Sequence, residues 1–259
     1  MRAMWLALIG LLSVGCASSS SHPSASESLR VMTYNIHHAA GEDGSVDIER
    51  IARIVNAQQP DLVAIQEVDV GTKRTNNLNT PAELERLTGL HARFGKAIDW
   101  DGGAFGQVIL SKRPITSFTV HKLPGDPKRE QRIALEAIID GGAIRFVATH
   151  LDHSGQLPDR LAQAKELNRL FGQPDGVPTI LAGDFNAKPG TDAIVELSQH
   201  FTDASATRPD FTYPSTQPTR KIDWVFLREP KLWTVTNTEV IDEPAASDHR
   251  PLVVELKAK

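Results

Sequence analysis

Apolar and polar positions alternate along Leu29-Arg30-Val31-Met32-Thr33-Tyr34, the mark of a strand, and Asp61 to Val68 is a short apolar run that ends in polar groups. Between them, Ile48, Ile51, Ala52, Ile54 and Val55 recur at helical spacing within Asp47 to Asn56, which predicts a helix with one buried face. Thr80-Pro81-Ala82-Glu83 predicts a helix start: Thr80 is the N-cap, proline follows at the first position, and a carboxylate stands at the third. Gly89 predicts its end. Two Asp-Gly-Gly turns, at Asp101 and Asp140, join strand-like runs and predict hairpins, the second linking Arg132–Ile139 to Ala143–Leu151. Pro158 to Phe171 carries Leu161, Ala164, Leu167 and Leu170 on one face, a further amphipathic helix. Val177 to Ala182 and Ile222 to Leu227 predict buried strands. Many strands joined by hairpins, with a few helices, predict a layered α/β sandwich with mixed sheets.

The first sixteen residues stand outside this pattern and predict an export signal. Met1-Arg2 supplies one positive charge, and Ala3 to Leu12 is an apolar run too short for a stable membrane span, which needs about 20 residues. The sole cysteine, Cys16, follows Ser13-Val14-Gly15 and resembles the acylated cysteine of a bacterial lipobox, with Leu12 four places before it instead of three. Lipidation of Cys16 is the expectation, with an ordinary signal cut elsewhere, or a buried inert thiol, as the alternatives. Ala17 to Ser28 contains seven serines in twelve residues and predicts a tether (17–28), followed by one domain over 29–259. The expected setting is an exported, membrane-anchored lipoprotein of the cell envelope, or a secreted protein.

Composition narrows the function classes. Hydrophobic residues make up 40% and charged residues 23% of the 259, enough apolar mass for a core, so disordered and collagen-like chains are excluded. A single cysteine excludes disulfide stapling. Removing Arg2 with the signal leaves 27 basic against 32 acidic residues, a net charge of −5. No dedicated nucleic-acid-binding surface is evident from that balance. A monomer is expected.

The polar residues that remain cluster at strand ends, where catalytic groups collect on a rigid scaffold. Asn35 follows the first strand in Thr33-Tyr34-Asn35-Ile36-His37-His38, and Glu67 ends the second in Ile65-Gln66-Glu67-Val68-Asp69. His150 ends Ala148-Thr149-His150-Leu151, and Asp184 and Asn186 stand in Gly183-Asp184-Phe185-Asn186. Asp223 sits in Lys221-Ile222-Asp223-Trp224, and Ser247-Asp248-His249-Arg250-Pro251 precedes the last strand. Each fragment alone reads as readily as a turn or a structural histidine. Together and in this order, from about Leu29 to Glu255, they resemble the endonuclease/exonuclease/phosphatase superfamily, which includes pancreatic-type deoxyribonuclease, base-excision endonucleases, neutral sphingomyelinases and inositol-polyphosphate 5-phosphatases. The resemblance implies a four-layer α/β/β/α sandwich, two mixed β-sheets face to face with helices outside, and a site at one end.

Hydrolysis of a phosphoester builds negative charge on phosphoryl oxygens and the leaving group, which a hard divalent cation with oxygen ligands offsets. Four clustered carboxylates fit such a cation better than they fit its absence. The expected cation is Mg²⁺, with Mn²⁺ or Ca²⁺ as alternatives, on Glu67 with Asn35 and Asp248 close by. His249 is the expected base because free imidazole titrates near neutrality. By the resemblance, Asp223 holds the other ring nitrogen of His249. Asp184 orients or activates the water, and Asn186 and His150 donate to the phosphate. Arg74 reads either as a substrate contact or as a solvated loop charge, Gln107 stands where relatives carry asparagine, and Arg132 reads as a cleft or a surface residue. His37, His38 and His153 flank the motifs. The expected partner is a phosphoester substrate, favoured as a lipid headgroup or small molecule. A metal-dependent nuclease and a catalytically silent binding module on the same fold are the alternatives.

Overall fold

Alternation sorts the strands of this protein between two apolar layers. In the computed structural model, which describes residues 28–154, 157–206 and 211–259, β1 (Ser28–Asn35) turns Leu29 and Val31 to one side and Met32 and Tyr34 to the other, and all four are buried. The neighbouring β2 (Leu62–Val70) does the same with Leu62 and Ala64 against Val63 and Ile65. In β7 (Ile144–His150) and β8 (Thr179–Asp184), Phe146, Ala148, Ile180 and Ala182 join the Leu29–Val31 layer, while Val147 and Leu181 face away from it. Strands buried on both faces belong in the middle of a stack, and burying each such aliphatic side chain contributes roughly 1.5–3 kcal/mol.

The stack has four layers. One sheet runs β11 (Trp233–Val240), β12 (Leu252–Ala258), β1, β2, β4 (Gly103–Ser111), β3 (His91–Trp100). The other runs β5 (Ile115–Lys122), β6 (Ile133–Ile139), β7, β8, β10 (Asp223–Leu227), β9 (Thr202–Asp203). Each sheet is antiparallel except for one central parallel pair, β1 with β2 and β7 with β8. Helices α1 (Ile48–Gln58) and α2 (Thr80–Thr88) cover the outer face of the first sheet through Ile51, Val55 and Leu84. Helices α3 (Leu157–Phe171) and α4 (Asp192–Leu197) cover the second through Ala164, Leu167, Phe171 and Ile194. This is the α/β/β/α sandwich that the resemblance implies.

The local signals hold with small shifts. Asp47 caps α1, its carboxylate accepting from the Arg50 N–H at 2.8 Å. The start of α2 lies one residue earlier than Thr80: the Asn79 side chain accepts from the Ala82 N–H at 3.3 Å, and Thr80 is buried inside the helix. Asparagine is the stronger N-cap, and moving the cap places Pro81 one position further in. Both Asp-Gly turns form hairpins, β3–β4 across Asp101-Gly102 and β6–β7 across Asp140–Gly142. Ser28, read with the tether, opens β1 and pairs with Lys257. Cys16, the export signal and the rest of the tether lie outside the described residues.

Strand direction decides where the site is. The parallel pairs bring the C-terminal ends of β1 and β2, and of β7 and β8, to one end of the sandwich. The antiparallel neighbours β10 and β12 begin there, with Asp223 opposite Asp184 in the ladder and Leu252 opposite Thr33. Gly183 makes the approach of β8 to β7 possible, since a Cβ there would lie 1.9 Å from the Thr149 carbonyl oxygen. Asp184 is the next residue.

Candidate active site

At that end, Glu67, His150, Asp184, Asn186, Asp248 and His249 line a cleft of about 760 Å³, with Asn35 and Asp223 buried in contact with them. Asn35 lies between two carboxylates, its Nδ2 donating to Glu67 Oε1 at 3.0 Å and to Asp184 Oδ2 at 3.1 Å. Its Oδ1 accepts from the His37 N–H at 3.1 Å. The sequence reading places Asn35 near a cation; in the fold its amide joins Glu67 to Asp184, and Oδ1, with one lone pair taken by the His37 N–H, keeps the other. Glu67 reaches the cleft because β2 is irregular, its register against β4 shifting between Ile65 and Val68 and Glu67 taking φ 57°. Such a bulge re-aims one side chain without ending the strand.

On the opposite sheet, Asp184 Oδ2 lies 3.4 Å from His150 Nε2 and 3.6 Å from His249 Nε2. His249 Nδ1 meets Asp223 Oδ2 at 2.8 Å, and the Thr212 hydroxyl donates to that same oxygen. The Ser247 hydroxyl donates to the Asn35 carbonyl at 2.8 Å and ties the segment before β12 to the end of β1. Asn186 Nδ2 donates to the Leu151 carbonyl and lies 3.1 Å from His150 Nε2, while the Asn186 N–H donates to Asp184 Oδ1 at 2.8 Å. Asp248 lines the cleft with Glu67.

Burial sets the charge states. It pushes Asp184 up to about 7, with Asp223 adding and His249 opposing. Burial alone would pull His249 down, but the Asp223 and Asp184 carboxylates overcome it and raise the imidazole to about 10. His150 moves the other way: burial, then Arg132 and His249, hold it well below the ordinary range, so it rests neutral. Burial also lowers His38 to about 4, helped by Arg74 and His37.

The outlying candidates divide. Arg74 lines the cleft, but its guanidinium is held by Asp69 in a two-point pair at 2.7 and 2.8 Å, with the Trp100 and Phe105 rings 5.8 and 5.6 Å away. Gln107 does not line the cleft; it is buried, and Nε2 donates to the Ile133 carbonyl at 3.1 Å, joining the two sheets. Arg132 is buried and cleft-lining, bound to Glu130 at 2.9 Å and His153 Nδ1 at 2.8 Å. Sequence reasoning missed Trp100, Arg129, Tyr213 and Arg220, which also line the cleft. Of these, Trp100 sits beside a turn that the sequence does mark, and it is 48% exposed. The left-handed run of His37, His38 and Ala39 (φ 46°, 47° and 63°) is a further surprise, because it gathers both histidines beside Glu67.

Comparison with known proteins agrees with this architecture. The Endonuclease/Exonuclease/phosphatase family pattern matches residues 32–249. The uncharacterized protein YbhP of Escherichia coli (strain K12) is 25% identical over 247 residues, covering 88% of this chain and 96% of its own. The crystal structure of an endonuclease/exonuclease/phosphatase from Beutenbergia cavernae DSM 12333 superposes with a TM-score of 0.73 at 27% identity, over 89% of this chain and 72% of that one. The mannosyl-6-phosphatase Bt3783 of Bacteroides thetaiotaomicron VPI-5482 shares the fold, with a TM-score of 0.72 at 20% identity over 88% of this chain and 99% of its own. By the matched span and the two-sheet frame, this chain belongs to the endonuclease/exonuclease/phosphatase family, whose members hydrolyse phosphoesters.

Proposed function

We propose that this protein is an exported, divalent-metal-dependent phosphodiesterase acting on a small-molecule or lipid-headgroup phosphodiester. The observation that carries the reading is the chain Glu67–Asn35–Asp184–His249–Asp223, which joins an acidic cleft edge to a buried histidine–aspartate pair through contacts of 2.8 to 3.6 Å. Glu67 and Asp248 offer carboxylate oxygens to one cleft, a donor set suited to Mg²⁺ or Mn²⁺. Bound there, the cation would offset charge on the phosphoryl oxygens.

The protein's own groups supply the rest. With His249 raised to about 10, the imidazole rests protonated and serves as a donor to the phosphoryl or leaving-group oxygen. The role of base passes to Asp184, which is buried, raised to about 7 and fixed by Asn35 and the Asn186 N–H. His249 thereby leaves the role of base that a free imidazole suggests, while Asp184 takes the activating role that the resemblance implies for it. Asp223 and Thr212 keep the His249 ring in place, and His150, neutral and buried, packs Asn186 against the cleft.

A nuclease is the second reading, because Arg74, Arg129, Arg132 and Arg220 line the cleft. Three of them already hold carboxylates, Asp69, Asp159 and Glu130, which weakens them as a track for a polyanion. Lipidation at Cys16 and attachment to a membrane complete the proposal, on the sequence of the leader alone. The test is turnover of bis-p-nitrophenyl phosphate with Mg²⁺ and with chelator, followed by a panel of sphingomyelin, phosphatidylinositol, sugar phosphates and DNA. Metal-dependent turnover of the diester supports the reading; no turnover of any phosphoester sinks it, and a preference for DNA moves it to the nuclease.

A further inference from the structure

We propose that His37, His38 and Glu67 form a binding site for a first-row transition-metal dication, beside the oxygen-ligand position and sharing Glu67 with it. The inference deepens the phosphoesterase reading and rests on it for Glu67 as a metal ligand.

One ring nitrogen from each histidine and one carboxylate oxygen of Glu67 all lie within 4.8 Å of one another. With metal–ligand bonds of about 2.0–2.2 Å, two ligand atoms on one ion are at most ~4.4 Å apart, so small side-chain rotations close the set. Two imidazoles and one carboxylate are the donors that borderline cations such as Mn²⁺, Co²⁺ and Zn²⁺ accept and that Mg²⁺ does not favour. A purely structural histidine pair would be expected to satisfy its ring nitrogens, yet His38 Nδ1 is buried without a hydrogen-bond partner.

The backbone around the cluster is unusual in the same place. His37, His38 and Ala39 are three successive non-glycine residues at positive φ, and Glu67 on the adjoining strand is a fourth. Such residues are disfavoured, and strain of this kind persists where surrounding structure fixes a functional geometry. Here it turns both imidazoles toward the bulge that presents Glu67. Asn35 secures both sides, donating to Glu67 Oε1 and accepting from the His37 N–H. His37 and Glu67 line the cleft, so an ion between them would face the substrate.

The test uses the full-length chain, stripped by chelator and titrated with Co²⁺ in excess Mg²⁺. One equivalent of Co²⁺ is expected to bind, with visible absorption bands and pulsed electron paramagnetic resonance modulations from imidazole nitrogen. His37→Gln and His38→Gln are each expected to weaken Co²⁺ at least tenfold, while His249→Asn, in the other histidine cluster, keeps the nitrogen signal. Circular dichroism and the thermal midpoint of the metal-free variants report folding, and His38→Asn is a second variant should His38→Gln unfold. Affinity within twofold of wild type in both histidine variants overturns the proposal, as does loss of the nitrogen signal in His249→Asn alone. A wild type that turns over diester with Mg²⁺ but shows no imidazole-bound Co²⁺ sinks this inference and leaves the phosphoesterase reading standing. Imidazole-bound Co²⁺ without turnover of any phosphoester does the reverse.

Discussion

Asp184 Oδ2 and His249 Nε2 lie 3.6 Å apart, a carboxyl group and an imidazole buried together. Their protonation is expected to govern the pH profile. In the proposed mechanism Asp184 acts ionised and His249 protonated, so kcat/KM should rise with pH toward about 7 and fall toward about 10. A cation near Glu67 moves both limbs to lower pH. A profile that stays flat across the whole range contradicts both roles.

The same pair makes the stability of the metal-free protein depend on pH. His249 is raised above its ordinary 6.5, so the stabilisation from its protonated form is complete below that value and is lost as pH climbs through about 10. Asp184 is also raised, so its share is lost earlier, between its ordinary 3.8 and about 7. Urea unfolding should show the stability difference between wild type and His249→Gln shrinking by on the order of 2 kcal/mol from neutral to strongly alkaline pH.

Removing the cleft groups should separate two kinds of loss. His249→Ala is expected to lower kcat by about 10²–10⁴-fold while the circular dichroism spectrum stays unchanged. Glu67→Gln should instead raise the metal concentration needed for half-maximal rate by roughly tenfold or more. Equal metal requirements in Glu67→Gln and wild type would remove Glu67 from the cation site.

Gly183→Ala should be disproportionately harmful for the addition of one methyl group. The added Cβ would press against the Thr149 carbonyl and force β7 and β8 apart next to Asp184. A loss of about 2–4 kcal/mol in unfolding free energy is expected, with a fall in kcat beyond what unfolding explains. A crystal structure with Asp184 unmoved would contradict the second part.

Gln107→Ala tests whether a candidate contact is a strut. Its amide bridges β4 to the Ile133 carbonyl, so the variant should lose about 1–2 kcal/mol of stability and keep its KM. A KM raised severalfold at unchanged stability would restore Gln107 to the substrate.

Much of the frame is legible in the chain because it depends on local patterns. The alternation in β1, the stripe in α1 and the two Asp-Gly turns each specify an element without reference to distant residues. The members of the site are legible too, since strand ends are visible in sequence. Their roles are less so. Asn35 is read as lying near a cation, but that its amide joins Glu67 and Asp184, which come from different sheets, is visible only in the fold. The protonation of His249 depends on two aspartates 26 and 65 positions away, and no local pattern carries that. Arg132, which precedes its strand, is buried against Glu130 and His153, neither of which a local pattern marks as its partner. The clustering of His37 and His38 depends on three left-handed residues in a row, which no composition signals.

The direction of β1 carries a consequence for which molecules the cleft can meet. The chain enters the sandwich at Ser28 and reaches the cleft at Asn35, about 23 Å further along at the usual rise per residue. Were the proposed anchor at Cys16 in place, the cleft would open one strand length beyond the point where the anchored segment joins the sandwich, and the reach of that segment would set whether a headgroup of the same leaflet or a dissolved phosphoester meets it.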